Sequence, residues 1–230
     1  MSFLVENLSR STSLSESPGQ LIQNAKGQIQ AIKLDPNPPS FENTIEPLEF
    51  CSLKVNTIAA IFFNLNSAET NDDIQEVARE FSPMLSKFSN DIQLDAALFS
   101  RVEEVWEKRA TYDLDSEQSV LLENTYKSFV RNGARLDRDE KELLRTIDSN
   151  LSKLSLQYGE NILAETNKFI LHLNNRDYIV GLPESVCQAA SLEAKQRGMQ
   201  GWVFTLDYPS YVPFMTHSSR RDLREQMYKA

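Results

Sequence analysis

The amino-acid sequence predicts a mainly α-helical protein with a small β element near residues 201–217. Apolar residues recur at helical spacing along most of the 230-residue chain. Seven glycines in the whole chain also fit a helical protein with few tight turns. Only the stretch 201–217, GWVFTLDYPSYVPFMTH, departs from the helical period. Its β-branched and aromatic residues, interrupted by Pro209 and Pro213, favour short extended segments over a helix.

Capping and stop signals divide the chain into about seven to eight helices. We expect residues 1–17, which are rich in serine, to form a poorly ordered lead-in. Ser17 and Pro18 then provide an N-cap and a first helical residue, and the proline-rich run 35–39 ends that helix. The predicted helices, in chain order, are 18–34, 40–66, 71–92, 95–106, 115–133, 137–169, 183–198 and 220–230.

The overall charge argues against a nucleic-acid partner. The net charge is −9 with a pI near 4.9, and phosphate binding requires clustered lysine and arginine. No apolar run approaches the roughly 20 residues that a membrane-spanning helix needs. Because no signal peptide is visible, the sequence favours a cytoplasmic protein, and a signal removed during cloning is the alternative left open.

The residues that usually carry catalysis or bind metal are few. The two histidines, His172 and His217, stand in neither an H-E-x-x-H nor an E-x-x-H arrangement. Cys51 and Cys187 are too far apart in sequence for a four-ligand zinc site, and their apolar surroundings indicate buried free thiols. No G-x-S-x-G elbow supports a serine triad, although sequence alone leaves a triad open. We therefore predict no catalytic residue, no metal ligand and no cofactor in this chain.

Three residues of the non-helical stretch are candidates for contact with substrate. Tyr208 and Tyr211 flank Pro209, and an extended ligand could add to an exposed strand there. The alternative is a hydrophobic plug whose tyrosine hydroxyls bond to backbone. His217 follows the same stretch, in a region where loops often carry function. The alternating context of His172 indicates a short strand and a structural role.

Several segments, taken in order, resemble the N-terminal half of the thimet oligopeptidase and oligopeptidase A family of zinc metallopeptidases, which includes bacterial dipeptidyl carboxypeptidase. The resemblance covers roughly residues 39–230, and residues 1–38 match poorly. The segments are PSFENTIEPLE at 39–49, NLNSAETN at 64–71, FVRNGA at 129–134, LSKLSLQY at 151–158, NILAETN at 161–167, GLPES at 181–185, and the run 201–230.

The resemblance implies a mostly helical, two-lobed enzyme that cleaves short peptides in a deep channel between its lobes. The family holds one zinc ion with an H-E-x-x-H helix and a downstream glutamate, all in the C-terminal lobe. None of those positions exists here, so no catalytic residue can be carried over. Residues 18–230 would then be the N-terminal, channel-forming lobe, inactive alone, with the missing catalytic lobe and short peptides as partners.

The last predicted helix, 220–230, shows no stop signal, which we interpret as truncation before the catalytic lobe. A lobe separated from its partner should expose an apolar surface, and we expect that surface near residues 201–230. The alternative function is a free-standing helical protein-interaction module. Endopeptidase and dipeptidyl-carboxypeptidase specificity both remain open.

Overall fold

A computed structural model describes residues 17–230, and the predicted lead-in at residues 1–17 lies outside them except for Ser17. The fold is mainly α-helical with one small two-stranded sheet, so the predicted fold class is confirmed. The elements are α1 (Pro18–Leu34), α2 (Glu46–Cys51), α3 (Leu53–Ala68), α4 (Asp72–Gln93), α5 (Ala96–Glu107), α6 (Ser116–Arg131), α7 (Arg138–Lys168), β1 (Leu171–Leu173), α8 (Glu184–Gln196), β2 (Trp202–Phe204), α9 (Tyr208–His217) and α10 (Arg221–Lys229). Shorter helical turns lie at Phe41–Ile45, Arg109–Thr111 and Arg176–Ile179.

Contacts between Cα atoms divide the chain into two compact units. The first ends at Leu156, and the second comprises Gln157–Ala230. The boundary falls inside helix α7, which therefore contributes residues to both units. The assignment of residues 18–230 to a single channel-forming lobe stays a prediction.

The core of the first unit is built from the apolar stripes that the sequence predicts. In α1, all five residues of the predicted stripe are buried: Leu21, Ile22, Ala25, Ile29 and Ile32. Aromatic rings join the other helices, with Phe62 edge-on to Phe81 at 5.6 Å between centroids. Phe99 and Phe129 stack at 6.0 Å. Helical period therefore identifies most of this core, because one face of each helix is covered by its neighbours.

The single helix predicted for 40–66 is divided into three parts. Ser40 and Asn43 exchange side-chain to backbone hydrogen bonds and cap a π-helical turn at Phe41–Ile45. Helix α2 follows, with Pro47 in its first turn, where the missing amide hydrogen costs no helical bond. Ser52 then separates α2 from α3. The wider turn accommodates a proline that the middle of a regular helix would not tolerate.

One helical stretch, Phe41–Ala68, is long and apolar enough to cross a membrane by length and composition alone. The prediction that no apolar run approaches that length is therefore wrong by this criterion. A core helix of a globular protein passes the same test. Val55, Ile58 and Phe62 of this stretch are buried in the core of the first unit.

The second unit is organised around the two short strands. Strand β1 pairs antiparallel with β2, and His172 lies opposite Val203. Gly201 precedes β2 with a φ of 90°, and a Cβ there would lie 2.3 Å from the carbonyl oxygen of Leu173. Glycine is therefore required for the close approach of the two strands. The buried core of this unit consists of Leu171, Leu173, Ala190, Phe204, Phe214 and Met227.

The small β element predicted near residues 201–217 is confirmed, but the short extended segments expected around Pro209 and Pro213 do not form. Only Trp202–Phe204 forms a strand, and Tyr208–His217 is helical. Pro209 lies in the first turn of α9, where proline is compatible with a helix, and Pro213 lies farther along it. The fully buried Phe214 packs against Phe204, with ring centroids 4.7 Å apart. Burial of this ring favours the helix over the local preference of the two prolines.

Candidate functional site

Helix α9 carries all three residues that the sequence proposes for contact with substrate. A short turn before the helix fixes its start. The Thr205 amide donates a hydrogen bond to Ser210 Oγ at 3.0 Å, and the Thr205 hydroxyl donates to Asp207 Oδ2 at 2.8 Å. Thr205 is itself buried, so this turn connects the helix firmly to β2. The three candidates are therefore placed by a helix and not by a loop.

The structure brings Tyr208 and Tyr211 together and leaves His217 apart. The two tyrosines are three residues apart and lie on neighbouring turns of the same helical face. His217 is nine residues from Tyr208, about 13 Å along the axis and on the opposite face. The tyrosine side chains also differ: Tyr208 is 79% exposed, whereas Tyr211 packs against the core of the second unit. A hydrophobic plug therefore describes Tyr211 but not Tyr208.

His172 has the structural surroundings that its sequence context predicts. It lies in the middle of β1, and its Nε2 is 2.7 Å from the carbonyl oxygen of Gln200. This contact joins the strand to the segment that leads into β2. His217 is exposed near the C-terminus of α9, and its carbonyl oxygen faces Gly181. The two histidines thus belong to separate local arrangements and do not form a joint site.

The side chains of the described residues do not fit a zinc ion. Among residues 17–230, no group of three or more histidine, cysteine, aspartate or glutamate side chains lies close enough together to hold a metal. Catalytic zinc requires three protein ligands and an open position. We therefore derive no chemical step through a metal from the part of the chain that the structure describes.

The cysteines are free thiols, but only one is fully buried. Cys51 donates a hydrogen bond to the carbonyl oxygen of Leu48 at 3.0 Å. Burial raises the pKa of the Cys51 thiol to about 11, so the thiol is protonated at neutral pH and is a poor nucleophile. Cys187 is half-buried, and burial raises the pKa of its thiol as well. The prediction of a buried thiol is confirmed for Cys51, and Cys187 is more accessible than the sequence indicates.

Cys51 borders a polar cavity of about 320 Å³ that the sequence did not indicate. The cavity lies in the first unit, and its wall includes Asn56, Gln93 and Asn124. Gln93 Oε1 is buried and accepts no hydrogen bond within the protein. An unpaired amide oxygen in such a place can accept a hydrogen bond from water or from a ligand.

A larger groove of about 660 Å³ lies between α4 and α7 in the first unit. Asp91 lies in this groove and accepts hydrogen bonds from Lys26 Nζ at 2.8 Å and from Arg145 Nη1 at 3.0 Å. Lys87 also lines the groove. No sequence signal could locate this site, because Asp91 and Arg145 are 54 residues apart and meet only through helix packing.

Comparison with known proteins gives extensive similarity to bacterial and plant peptidases. The chain is 31% identical over 210 residues to dipeptidyl carboxypeptidase of Escherichia coli K12, covering 91% of this chain and 31% of that protein. It is 30% identical over 211 residues to oligopeptidase A of Haemophilus influenzae, covering 92% of this chain and 31% of the relative. The predicted resemblance to the thimet oligopeptidase and oligopeptidase A family is confirmed. The similarity extends to plants, with 26% identity over 217 residues to the probable cytosolic oligopeptidase A of Arabidopsis thaliana.

The chain spans about a third of the length of the oligopeptidases it matches. No family profile matches it. These relatives are named dipeptidyl carboxypeptidase and oligopeptidase A. Two thirds of each relative has no counterpart in these 230 residues, so the properties of the relatives reach this chain only as a proposal.

Proposed function

We propose that this chain is the N-terminal, substrate-channel-forming lobe of a zinc metallopeptidase that hydrolyses short peptides. The proposal depends on one observation, namely that the similarity covers nearly all of this chain but only a third of the relative. The similarity takes in 91% of this chain but only 31% of the E. coli dipeptidyl carboxypeptidase. We infer from this difference in coverage that the chain forms one part of such an enzyme.

In this proposal the described residues contribute the shape of the channel and not the bond-breaking chemistry. A rigid helical wall restricts the size of substrates and positions peptides, which lowers the entropic cost of the reaction at the metal. The zinc ion would be held by the remaining part of the parent protein.

The direct test uses the purified chain and its gene. We expect residues 1–230 to bind no stoichiometric zinc and to hydrolyse no quenched fluorescent peptide. We expect the reading frame to continue past Ala230 into an H-E-x-x-H motif, and the full-length product to hydrolyse the peptide in a chelator-sensitive manner. Chelator-sensitive turnover by the 230-residue chain would overturn the proposal, as would a native stop codon at Ala230.

Tyr208 is our candidate for contact with the peptide in the full-length enzyme. Tyr208 is 79% exposed, and its helix is held in place by the buried Phe214, which packs against Phe204. We expect Tyr208→Ala to raise KM for short peptides several-fold with little change in kcat, because it removes binding common to the ground and transition states. Tyr228→Ala is the matched control, since Tyr228 is 75% exposed on α10. Equal increases in KM for the two variants would show that Tyr208 does not bind the peptide.

The same proposal covers location and specificity. A cytoplasmic location belongs to the proposal: one Arabidopsis relative is named a probable cytosolic oligopeptidase A, and another is named an organellar one. The predicted partners are the catalytic part of the protein and short peptides, with neither nucleic acid nor membrane involved. Relatives with both oligopeptidase and dipeptidyl carboxypeptidase names match the chain at similar identity, so the cleavage pattern is left to a product analysis of the full-length enzyme.

A free-standing helical interaction module is the second candidate, and one observation favours it. Helix α7 exposes a row of large apolar side chains that could receive a partner. The reading frame separates the two candidates, because the module requires a stop codon at Ala230 and the lobe requires continuation.

A further inference from the structure

We propose that the apolar face of α7 docks the catalytic part of the parent peptidase. This face consists of Leu143, Ile147, Leu151 and Leu154, all in the first unit. The inference rests on the proposed function and adds to it the surface through which the two parts join. Near residues 201–230, where the sequence predicts such a surface, Tyr208 and Tyr228 are exposed, whereas Phe214 and Met227 are buried in their own core, so the continuous apolar face lies on α7 instead.

All four side chains of the apolar face of α7 are exposed to solvent. Its four side chains are 61%, 44%, 54% and 59% exposed in chain order. They follow one another at spacings of four, four and three residues, which places them on a single stripe of the helix. A stripe with this spacing is the usual seam by which one helix packs against another.

The side of α7 that faces the first unit is unusually polar. Arg145, Ser149 and Ser152 are partly buried there, and Arg145 pairs with Asp91. Leu144 and Leu156 are the apolar anchors, the first beside Gly133 and the second against the core of the unit. The helix thus turns several polar residues inward and four large apolar residues outward. Such an inverted arrangement is stable in water only at a cost, which a covering partner would remove.

The same spacing continues along the part of α7 that belongs to the second unit. Tyr158 and Ile162 are 68% and 49% exposed, and they follow Leu154 by four and eight residues. Each part of the helix, taken by itself, therefore presents apolar side chains to solvent. The pattern is not an isolated exposed leucine, which would need no explanation.

The size of the face favours a covalently connected occupant over a second copy of this chain. The four side chains of this face, even with Tyr158 and Ile162 added, are far fewer than the roughly 20–30 residues that each partner contributes to a stable dimer interface. A segment of the same polypeptide needs much less surface, because its effective concentration is in the millimolar range. The chain covers about a third of the length of each relative, so the remaining two thirds could supply a connected occupant of sufficient size.

The test measures how quickly a thiol on this face reacts before and after the rest of the protein is present. Leu151→Cys in a Cys187→Ser background is labelled with a polyethylene glycol maleimide, both in the 230-residue chain and in the full-length protein. Val120→Cys is the matched control, because Val120 on α6 is 56% exposed and Leu151 is 54% exposed. We expect similar rates at both positions in the 230-residue chain, and at least tenfold slower labelling of Leu151→Cys alone in the full-length protein.

Three labelling results would overturn the inference. Unchanged labelling of Leu151→Cys in the full-length protein would show that nothing covers the face. Slowing that increases with the concentration of the 230-residue chain would assign the face to a second copy. Slowing that requires a bound peptide inhibitor would assign it to the substrate channel. A gene that ends at Ala230 would remove the proposed function as well, whereas fast labelling in a chelator-sensitive, full-length peptidase would remove only this inference.

Discussion

Helices α4 and α7 carry apolar stripes of the same helical period, but the stripe of α4 is buried and that of α7 is exposed. In α4 the stripe is turned inward, and Ile74, Ala78, Phe81 and Phe88 are buried. In α7 no residue is buried, and the corresponding stripe faces solvent. The comparison shows that an amphipathic pattern predicts a helix and its apolar face but not what covers that face.

The difference comes from the neighbours of each helix. Helix α4 packs against α1 and α3, and the ring of Phe81 contacts the rings of both Phe62 and Phe63. Helix α7 touches the first unit mainly through Leu144, Leu156 and the pair formed by Arg145 with Asp91. Burial of an apolar side chain is the main stabilising contribution in folding, so the two stripes should respond very differently to truncation.

The largest expected difference is between Phe81→Ala and Leu151→Ala. Phe81→Ala removes a buried ring with two aromatic contacts and should lower the free energy of unfolding by about 3–5 kcal/mol. Leu151→Ala removes an exposed side chain and should change it by no more than about 0.5 kcal/mol. Urea unfolding followed by far-UV circular dichroism measures both. Comparable losses for the two variants would mean that α7 is covered in the isolated chain.

Two glycine substitutions sharpen the comparison at the anchor of α7. Gly133 has a φ of 92°, and a Cβ there would lie 2.8 Å from side-chain atoms of Leu136 and Leu144. We expect Gly133→Ala to destabilise the chain by about 1–3 kcal/mol through backbone strain and displacement of the anchor. Gly159→Ala, within α7 and with no atom within 4 Å, should instead stabilise by up to about 1 kcal/mol. Thermal unfolding distinguishes the two, and a stabilising Gly133→Ala would contradict the assigned anchor.

The pH dependence of stability reports on the core to which α4 contributes. Burial holds the pKa of Cys51 at about 11, above the value of 9.0 for an unperturbed thiol. The folded state therefore favours the neutral thiol, and its contribution to stability is complete below pH 9 and declines as the pH rises from 9 to 11. Tyrosines and lysines titrate in the same range, so the quantity to measure is the difference in Tm between the wild type and Cys51→Ala. We expect that difference to shift across this interval, and a constant difference would place the thiol in contact with water.

The smallest expected effect concerns the polar contact that holds α7 to the first unit. Arg145 and Asp91 are each about a third exposed, so Arg145→Ala should cost about 0.5–1 kcal/mol. Lys108→Ala, which breaks a more exposed pair with Glu104 at the end of α5, should cost less than Arg145→Ala does. Guanidinium titrations would screen both pairs, so urea is the appropriate denaturant. A loss above about 2 kcal/mol at Arg145 would mean that α7 depends on this pair and not on its leucines.

The candidate site shows where prediction from sequence reached its limit. Tyr208 and Tyr211 were selected because prolines and aromatic residues interrupt the helical period, and the structure places them on a helix. The prolines favour an extended backbone locally, but burial of Phe214 outweighs that preference and the segment is helical. The groove at Asp91 and the cavity beside Cys51 had no signal at all, since both are assembled from residues distant in sequence.

The sequence by itself determined the helices, most of their ends and the family resemblance. Asn71, Asp95 and Asp115 cap the helices whose predicted ranges begin at these residues, because an N-cap depends on residues within three positions of one another. The apolar stripes also follow from spacing alone. Only the tertiary structure decided that the stripe of α4 is covered, that the stripe of α7 is bare, and that residues 208–217 are helical. These outcomes depend on contacts between segments far apart in the chain. Such contacts, and not the local pattern, determine which apolar side chains are buried and therefore stabilise the fold.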